Sequence, residues 1–141
     1  MHKLLLIVLL MTTALFSSEL HWAKDFASGV AKAQKEKKPI MFIFSRTTCK
    51  YCVILEKTTL SDDQVVTALN RDYVSIVAYS DKRDAMPQEL WRPGTPTIWF
   101  LDSTGRPMFE PLVGAVGKEY MLQVLSVVKK AYDKNNKKVQ R

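Results

Sequence analysis

Only two of the 141 residues are cysteine, and only two are histidine. Two cysteines cannot staple a small domain through several disulfides, so a hydrophobic core has to hold the fold. A closed zinc site needs four ligands, and beyond residue 18 the chain offers the two cysteines and His21 alone. No apolar run reaches the roughly 20 residues that span a bilayer comfortably. Internal repeats, low-complexity tracts and interdomain linkers are also missing. With 47% apolar and 25% charged residues, the composition excludes wholesale disorder, collagen and a coiled coil. The length suits one domain and is too short for two well-packed ones.

The first eighteen residues bear on the compartment. Lys3 precedes a stretch from Leu4 to Phe16 that is interrupted only by Thr12 and Thr13, and Ser17, Ser18 and Glu19 follow. This is the charged, apolar, small-residue order of a secretory signal, expected to span residues 1–18 and to direct the rest to the periplasm. Export places cysteines in an oxidising compartment. An uncleaved anchor is the competing reading of the same segment.

The net charge of +7 invites a guess of nucleic-acid binding, but its distribution argues otherwise. Lys129 to Arg141 hold six basic groups against Asp133, or +5, which leaves +1 for the body from Glu19 to Val128. No basic stripe runs through that body, and no nucleic-acid partner is expected. The end of the chain, a basic tail over 133–141, reads as a solvated helix end, with an anionic surface as the other reading.

Patterning predicts one α/β domain over 19–132. Trp22, Phe26, Val30 and Ala33 recur at helical steps over 22–37. Ile40 to Phe44 is a continuous apolar run, as in a strand buried on both faces. Cys49 to Thr58 suits a helix. Ser61-Asp62-Asp63-Gln64 matches a capping box that opens another. Tyr73 to Tyr79 and Thr97 to Leu101 suit strands, and Asp84 to Trp91 a short helix. Pro107 to Val113 reads as a fourth strand, placed at an edge by Pro107 and Pro111. Lys118 to Tyr132 closes as a helix with Met121, Val124, Leu125, Val128 and Tyr132 on one face. The order implies a mixed four-stranded sheet flanked by helices.

The chemistry concentrates in Cys49-Lys50-Tyr51-Cys52. A cysteine at a helix start meets unpaired N–H groups and the positive end of the dipole, which favour its thiolate. Cys49 is therefore expected to attack and Cys52, one turn in, to resolve. Lys50 adds a positive charge that tunes the thiol. Tyr51 and Trp91 are candidates for an apolar substrate lip, with core packing an equal claim on Trp91. Trp99 reads as core and His21 as solvated. Haem attachment wants a histidine after the second cysteine, where Val53 stands. A structural disulfide would close a tiny loop and restrain the unfolded chain little. It remains an alternative: a binding or chaperone module with an inert disulfide.

A second motif, Gly94-Thr95-Pro96-Thr97, stands ahead of the apolar Ile98-Trp99-Phe100-Leu101. With both motifs in this order the chain resembles the thioredoxin superfamily over roughly residues 22 to 132. The resemblance implies the thioredoxin fold, a cis bond before Pro96 facing the cysteines, and a substrate contact at Thr95. It also implies disulfide exchange without a cofactor or metal. Thr48 departs from the tryptophan of cytosolic thioredoxins, and Lys50-Tyr51 from their Gly-Pro. Ile43 occupies the position of their buried acid, and Glu56 reads as a solvated helical side chain rather than a replacement. Tyr51 and Thr95 look more like DsbC and DsbG isomerases, and exported reductases related to SoxW, than like oxidases similar to DsbA. The implied partners are exported proteins with thiols or disulfides and a membrane electron donor resembling DsbD or CcdA. The DsbC dimerisation domain has no counterpart, so a monomer is expected.

Overall fold

The computed structural model describes residues 19–139. The expected signal over residues 1–18 lies outside them, as do the last two residues of the basic tail. Helix α1 (Phe26–Glu36) is followed by strand β1 (Ile40–Ser45), helix α2 (Lys50–Lys57), helix α3 (Asp63–Asp72) and strand β2 (Val74–Tyr79). Strands β3 (Thr97–Leu101) and β4 (Leu112–Val113) come next, and helix α4 (Lys118–Val139) ends the described chain. The sheet order is β2-β1-β3-β4. β1 runs parallel to β2 and antiparallel to β3, and β3 is antiparallel to β4. The mixed four-stranded sheet expected from the sequence is the one observed.

β1 is continuously apolar because both of its faces are covered. Met41 and Ile43 pack into a cluster with Leu55, Val65, Leu69, Phe100, Met121, Leu125 and Val128. Ile40, Phe42 and Phe44 face the opposite cluster with Ala33, Ile76, Leu90, Trp99 and Leu101. Phe42 is fully buried, and Phe26 of α1 meets its ring edge-on at a centroid distance of 5.2 Å. Gly29 lets α1 lie against β2: a Cβ there would come within 2.5 Å of the Ile76 side chain.

Several boundaries differ from the expectation, each for a local reason. α1 starts at Phe26, not Trp22, because Asp25 caps it: Asp25 accepts from the Ser28 amide at 2.8 Å. Trp22 instead bridges alongside Ser75 of β2, running parallel to it. The cap of α3 is Asp62 rather than Ser61. Ser61 donates its hydroxyl to the Glu56 carbonyl at 2.6 Å, and Asp62 accepts from the Gln64 and Val65 amides. No α-helix forms over 84–91. Pro87, in extended backbone, confines the helical part to a 3-10 turn at Gln88–Leu90. The fourth strand shrinks to two residues plus an isolated bridge from Leu101 to Pro107, since prolines cannot donate to the ladder. α4 continues beyond Tyr132 to Val139.

The topology gives the molecule two poles. At one lie the C-terminal ends of β1 and β2 and the start of β3, because Phe44 pairs with Thr97 and Ser45 with Tyr79. At the other lie Ile40 and the two residues it pairs with, Val74 and Leu101.

Candidate active site

The first pole gathers the residues singled out in the sequence. Cys49 is the N-cap residue of α2, with extended backbone, and its Sγ accepts the Cys52 amide hydrogen at 3.3 Å. A cap position normally filled by a serine or aspartate oxygen is filled here by sulfur. The Cys49 thiol also donates to the Thr95 carbonyl at 3.3 Å. Burial pushes this thiol up. Hydrogen bonds from the Cys52 and Thr95 side chains and from the Cys52 and Tyr51 amides outweigh burial, so it lies below its ordinary value. Cys52 is 1% exposed. Burial, then the neighbouring Cys49 sulfur, pushes its thiol up, against a hydrogen bond from Ser45. Both thiols are free. The pair is thus one accessible sulfur with thiolate character and one shielded sulfur that keeps its proton.

Thr95 and Pro96 stand against this pair across the start of β3. The Thr95–Pro96 peptide bond is cis. Pro96 is buried and Thr95 half-buried. The Pro96 carbonyl accepts the Gly114 amide at 2.9 Å, and the Thr97 hydroxyl donates to the Gly94 carbonyl at 2.9 Å. Gly94 has a φ of 102°, a left-handed conformation that favours glycine. Tyr51 is 58% exposed and Ile54 is exposed beside it on α2, while Val113 is exposed at the end of β4. Lys50 extends its ammonium over the Tyr51 ring, 6.0 Å from the centroid. Trp91 is 55% exposed and not part of the core. The core takes Trp99 instead, whose indole N–H donates to the Leu90 carbonyl at 2.8 Å.

Three residues that the sequence did not single out complete the site. Asp81, in the turn after β2, accepts the Thr47 amide at 3.0 Å and also the Thr47 hydroxyl, pinning the loop that leads into Cys49. Ser45 is a buried hydroxyl that hydrogen-bonds Cys52. Tyr79 pairs with Ser45 across the strands and donates to Glu56 Oε1 at 3.1 Å. Burial, followed by the Glu56 carboxylate, pushes the Tyr79 phenol up to about 12, with Asp84 and Cys52 contributing. Glu56 is therefore half-buried and bonded, not solvated as expected. The Thr47–Asp81 and Glu56–Tyr79 contacts join residues 34 and 23 positions apart, so no local pattern announces them. The one signal within reach was spacing: Glu56 lies four residues after Cys52, on the same helical face.

Glu56 thus stands one helical turn after Cys52 with its carboxylate held by the Tyr79 phenol. A Glu56→Gln protein is expected to keep its fold and the reactivity of Cys49. It should resolve mixed disulfides several-fold more slowly near neutral pH, with the deficit closing at alkaline pH, where Cys52 ionises unaided. Stopped-flow resolution rates across pH check this; a deficit that is equal at every pH would assign Glu56 a structural role only.

A solution structure of a thioredoxin from Thermus thermophilus is 28% identical, with a TM-score of 0.65, covering 78% of this chain and 87% of that one. The C-terminal domain of Neisseria meningitidis DsbD in its oxidised form is 21% identical, with a TM-score of 0.55, covering 70% and 88%; it shares the fold. Anterior gradient protein 3 of Xenopus tropicalis is 25% identical over 91 residues, which cover 63% of this chain and 54% of that protein. The chain spans about half the length of this curated relative. The family described as "Thioredoxin-like domain" matches residues 26–129, from the first residue of α1 to the middle of α4 and through both motifs. The chain belongs to the thioredoxin-like domain family.

Proposed function

We propose that this protein is a thiol–disulfide oxidoreductase, exported to the periplasm, that reduces or isomerises disulfides in other exported proteins. The observation that carries the reading is Cys49 sulfur capping α2, beside the Thr95 carbonyl and in front of a buried Cys52. In the reducing direction the Cys49 thiolate attacks one sulfur of a substrate disulfide. A bond forms from Cys49 to that sulfur, and the other substrate sulfur leaves as a thiolate. Cys52 then gives up its proton and attacks Cys49 Sγ. This forms the Cys49–Cys52 disulfide and releases the second substrate thiolate, so two electrons pass from the pair to the substrate. In isomerisation the released thiolate attacks a second substrate disulfide, and the substrate thiolate this frees attacks the mixed disulfide at the substrate sulfur, which forms the new substrate disulfide, expels the Cys49 thiolate and leaves the pair reduced without Cys52 acting.

Thr95, Pro96 and Tyr51 form the substrate-facing rim in this reading, and Lys50 supplies a positive charge next to the nucleophile. Reductase or isomerase is favoured over oxidase by the Lys50-Tyr51 pair and Thr95. A monomer needs its dithiol regenerated, and a membrane donor resembling DsbD or CcdA fits that requirement. The chain shares its fold with a domain of DsbD.

Trapping tests the reading. In a Cys52→Ala protein the first step proceeds and the second cannot, so adducts with exported proteins are expected to accumulate through Cys49. They should collapse on addition of dithiothreitol and be absent from a Cys49→Ser, Cys52→Ala control. A Cys52→Ala protein that captures nothing contradicts the proposal and favours the module with an inert disulfide.

A further inference from the structure

The pole opposite the cysteines carries the chain's excess of positive charge. Lys130, Lys134, Lys137 and Lys138 follow one another at steps of four, three and one along α4 and are exposed. This spacing puts them on one face of the helix. Lys37, at the left-handed end of α1 (φ 53°), lines a surface cleft with Asn136 and Lys137, which extends the basic face onto the body of the domain. Four carboxylates of this pole already have partners, and Glu19 is exposed at its edge. Asp133 binds Lys129 at 2.6 Å, Asp72 binds Arg71 at 2.8 Å, Asp102 binds Arg106 at 3.2 Å and Glu36 binds Lys38 at 3.3 Å. Among the described residues, none of the five lysines has an ion-pair partner within 4.0 Å.

The amino-terminal segment joins the domain at the same pole. Trp22 runs parallel to β2 at Ser75, near the strand's start, so the preceding residues lead towards and past that end of the sheet. Asn70, in the last turn of α3, holds them there: it donates to the Glu19 carbonyl and accepts from the His21 amide, both at 2.9 Å. Glu19, the first described residue, therefore lies beside the basic face and away from Cys49. Among the described residues no helix is long and apolar enough to cross a membrane.

We propose that this basic pole docks on an anionic lipid surface. The lysine face of α4 and Lys37 lie against the headgroups, and the Cys49–Cys52 pair faces away from the membrane. Lysines held within a Debye length of an anionic bilayer are attracted to it individually, and the attraction is screened by salt. In the sequence the apolar stretch from Leu4 to Phe16 ends just before Glu19, which favours a bilayer over an acidic protein as the occupant.

Flotation of the full chain with vesicles tests this. With phosphatidylcholine vesicles containing about 30% phosphatidylglycerol, bound protein should exceed that on pure phosphatidylcholine by at least about tenfold at low salt. The excess should vanish near 0.5 M salt, where the Debye length falls to about 4 Å. A Lys130→Gln, Lys134→Gln, Lys137→Gln, Lys138→Gln protein should lose it, with Cys49 alkylation unchanged. A Lys82→Gln, Arg83→Gln protein, neutralised at the opposite pole, should retain it. Equal binding to neutral and anionic vesicles, or undiminished binding by the quadruple variant, overturns the proposal. Retention on polyglutamate without preference for anionic vesicles also overturns it and points to an acidic protein. Each of these outcomes leaves the thiol chemistry of the other pole untouched, so the docking proposal stands or falls separately.

Discussion

A Cys49→Ser protein is expected to lose disulfide exchange down to the uncatalysed rate while folding at least as well as the parent. The two halves of this prediction come from the same atom. Cys49 Sγ is the N-cap acceptor of α2, bonded to the Cys52 amide. Serine ranks among the best residues at that position, because its hydroxyl oxygen accepts the same hydrogen. The cap is thereby kept, and the denaturation midpoint should stay the same or rise slightly. Catalysis behaves differently. The reacting species is a thiolate, and a serine hydroxyl has neither the acidity nor the polarisability to replace it at neutral pH. Reduction of insulin by dithiothreitol, followed alongside urea unfolding, reads both halves. Residual exchange well above the uncatalysed rate would show that Cys49 is not the attacking group, and a large loss of stability would show that the sulfur's capping role has been misjudged.

A Phe42→Ala substitution is expected to cost about 3–5 kcal/mol, the usual range for removing a fully buried aromatic ring. Domains of this kind are stable by about 5–15 kcal/mol in total, so the variant should be marginal at physiological temperature. Phe42 is 0% exposed, at the middle of a strand flanked on both sides, and its ring meets Phe26 of α1 edge-on. Closing the cavity would require α1 to move inwards, and Gly29 already packs so closely on Ile76 that there is no room there even for a Cβ. The consequence reaches the site, because β1 carries the chain directly to Cys49. A shift in the urea midpoint at unchanged slope checks the figure; a loss below about 1 kcal/mol would mean that the core relaxes around the gap.

Most of the fold was legible because its signals are local. The apolar run at 40–44 and the one-sided pattern at 121–132 are consequences of burial on two faces and on one, and the structure matches both. Boundaries were less legible where two residues competed for one role. Ser61 and Asp62 could each cap α3; Ser61 is taken up by the Glu56 carbonyl, which is visible only once α2 has ended at Lys57. Pro87 is a local signal that outweighed the helical pattern of 84–91. In the site, the two cysteines and Thr95-Pro96 stood out as motifs, and the structure brings them together. Asp81, Ser45 and Tyr79 did not stand out, since their partners are placed by the sheet rather than by sequence spacing. Glu56 reads as solvated in the sequence because its environment depends on Tyr79, which β2 supplies. Scarcity remains informative: with two cysteines in all, their positions at the start of α2 concentrate the chemistry in one place.

The central claim is that hydrogen bonds at the start of α2 give Cys49 thiolate character while burial withholds it from Cys52. A lowered thiol value means that the reactive form appears at a pH where an ordinary thiol is still protonated, so reactivity moves to lower pH; a raised value moves it higher. The direct measurement is the rate of iodoacetamide alkylation at each cysteine of the reduced protein, resolved by mass spectrometry, from about pH 4 to 10. Cys49 should react along a titration centred below the ordinary thiol value of about 8.5, with Cys52 nearly inert until well above it. Two cysteines that titrate together at the ordinary value, with comparable rates, would contradict the account.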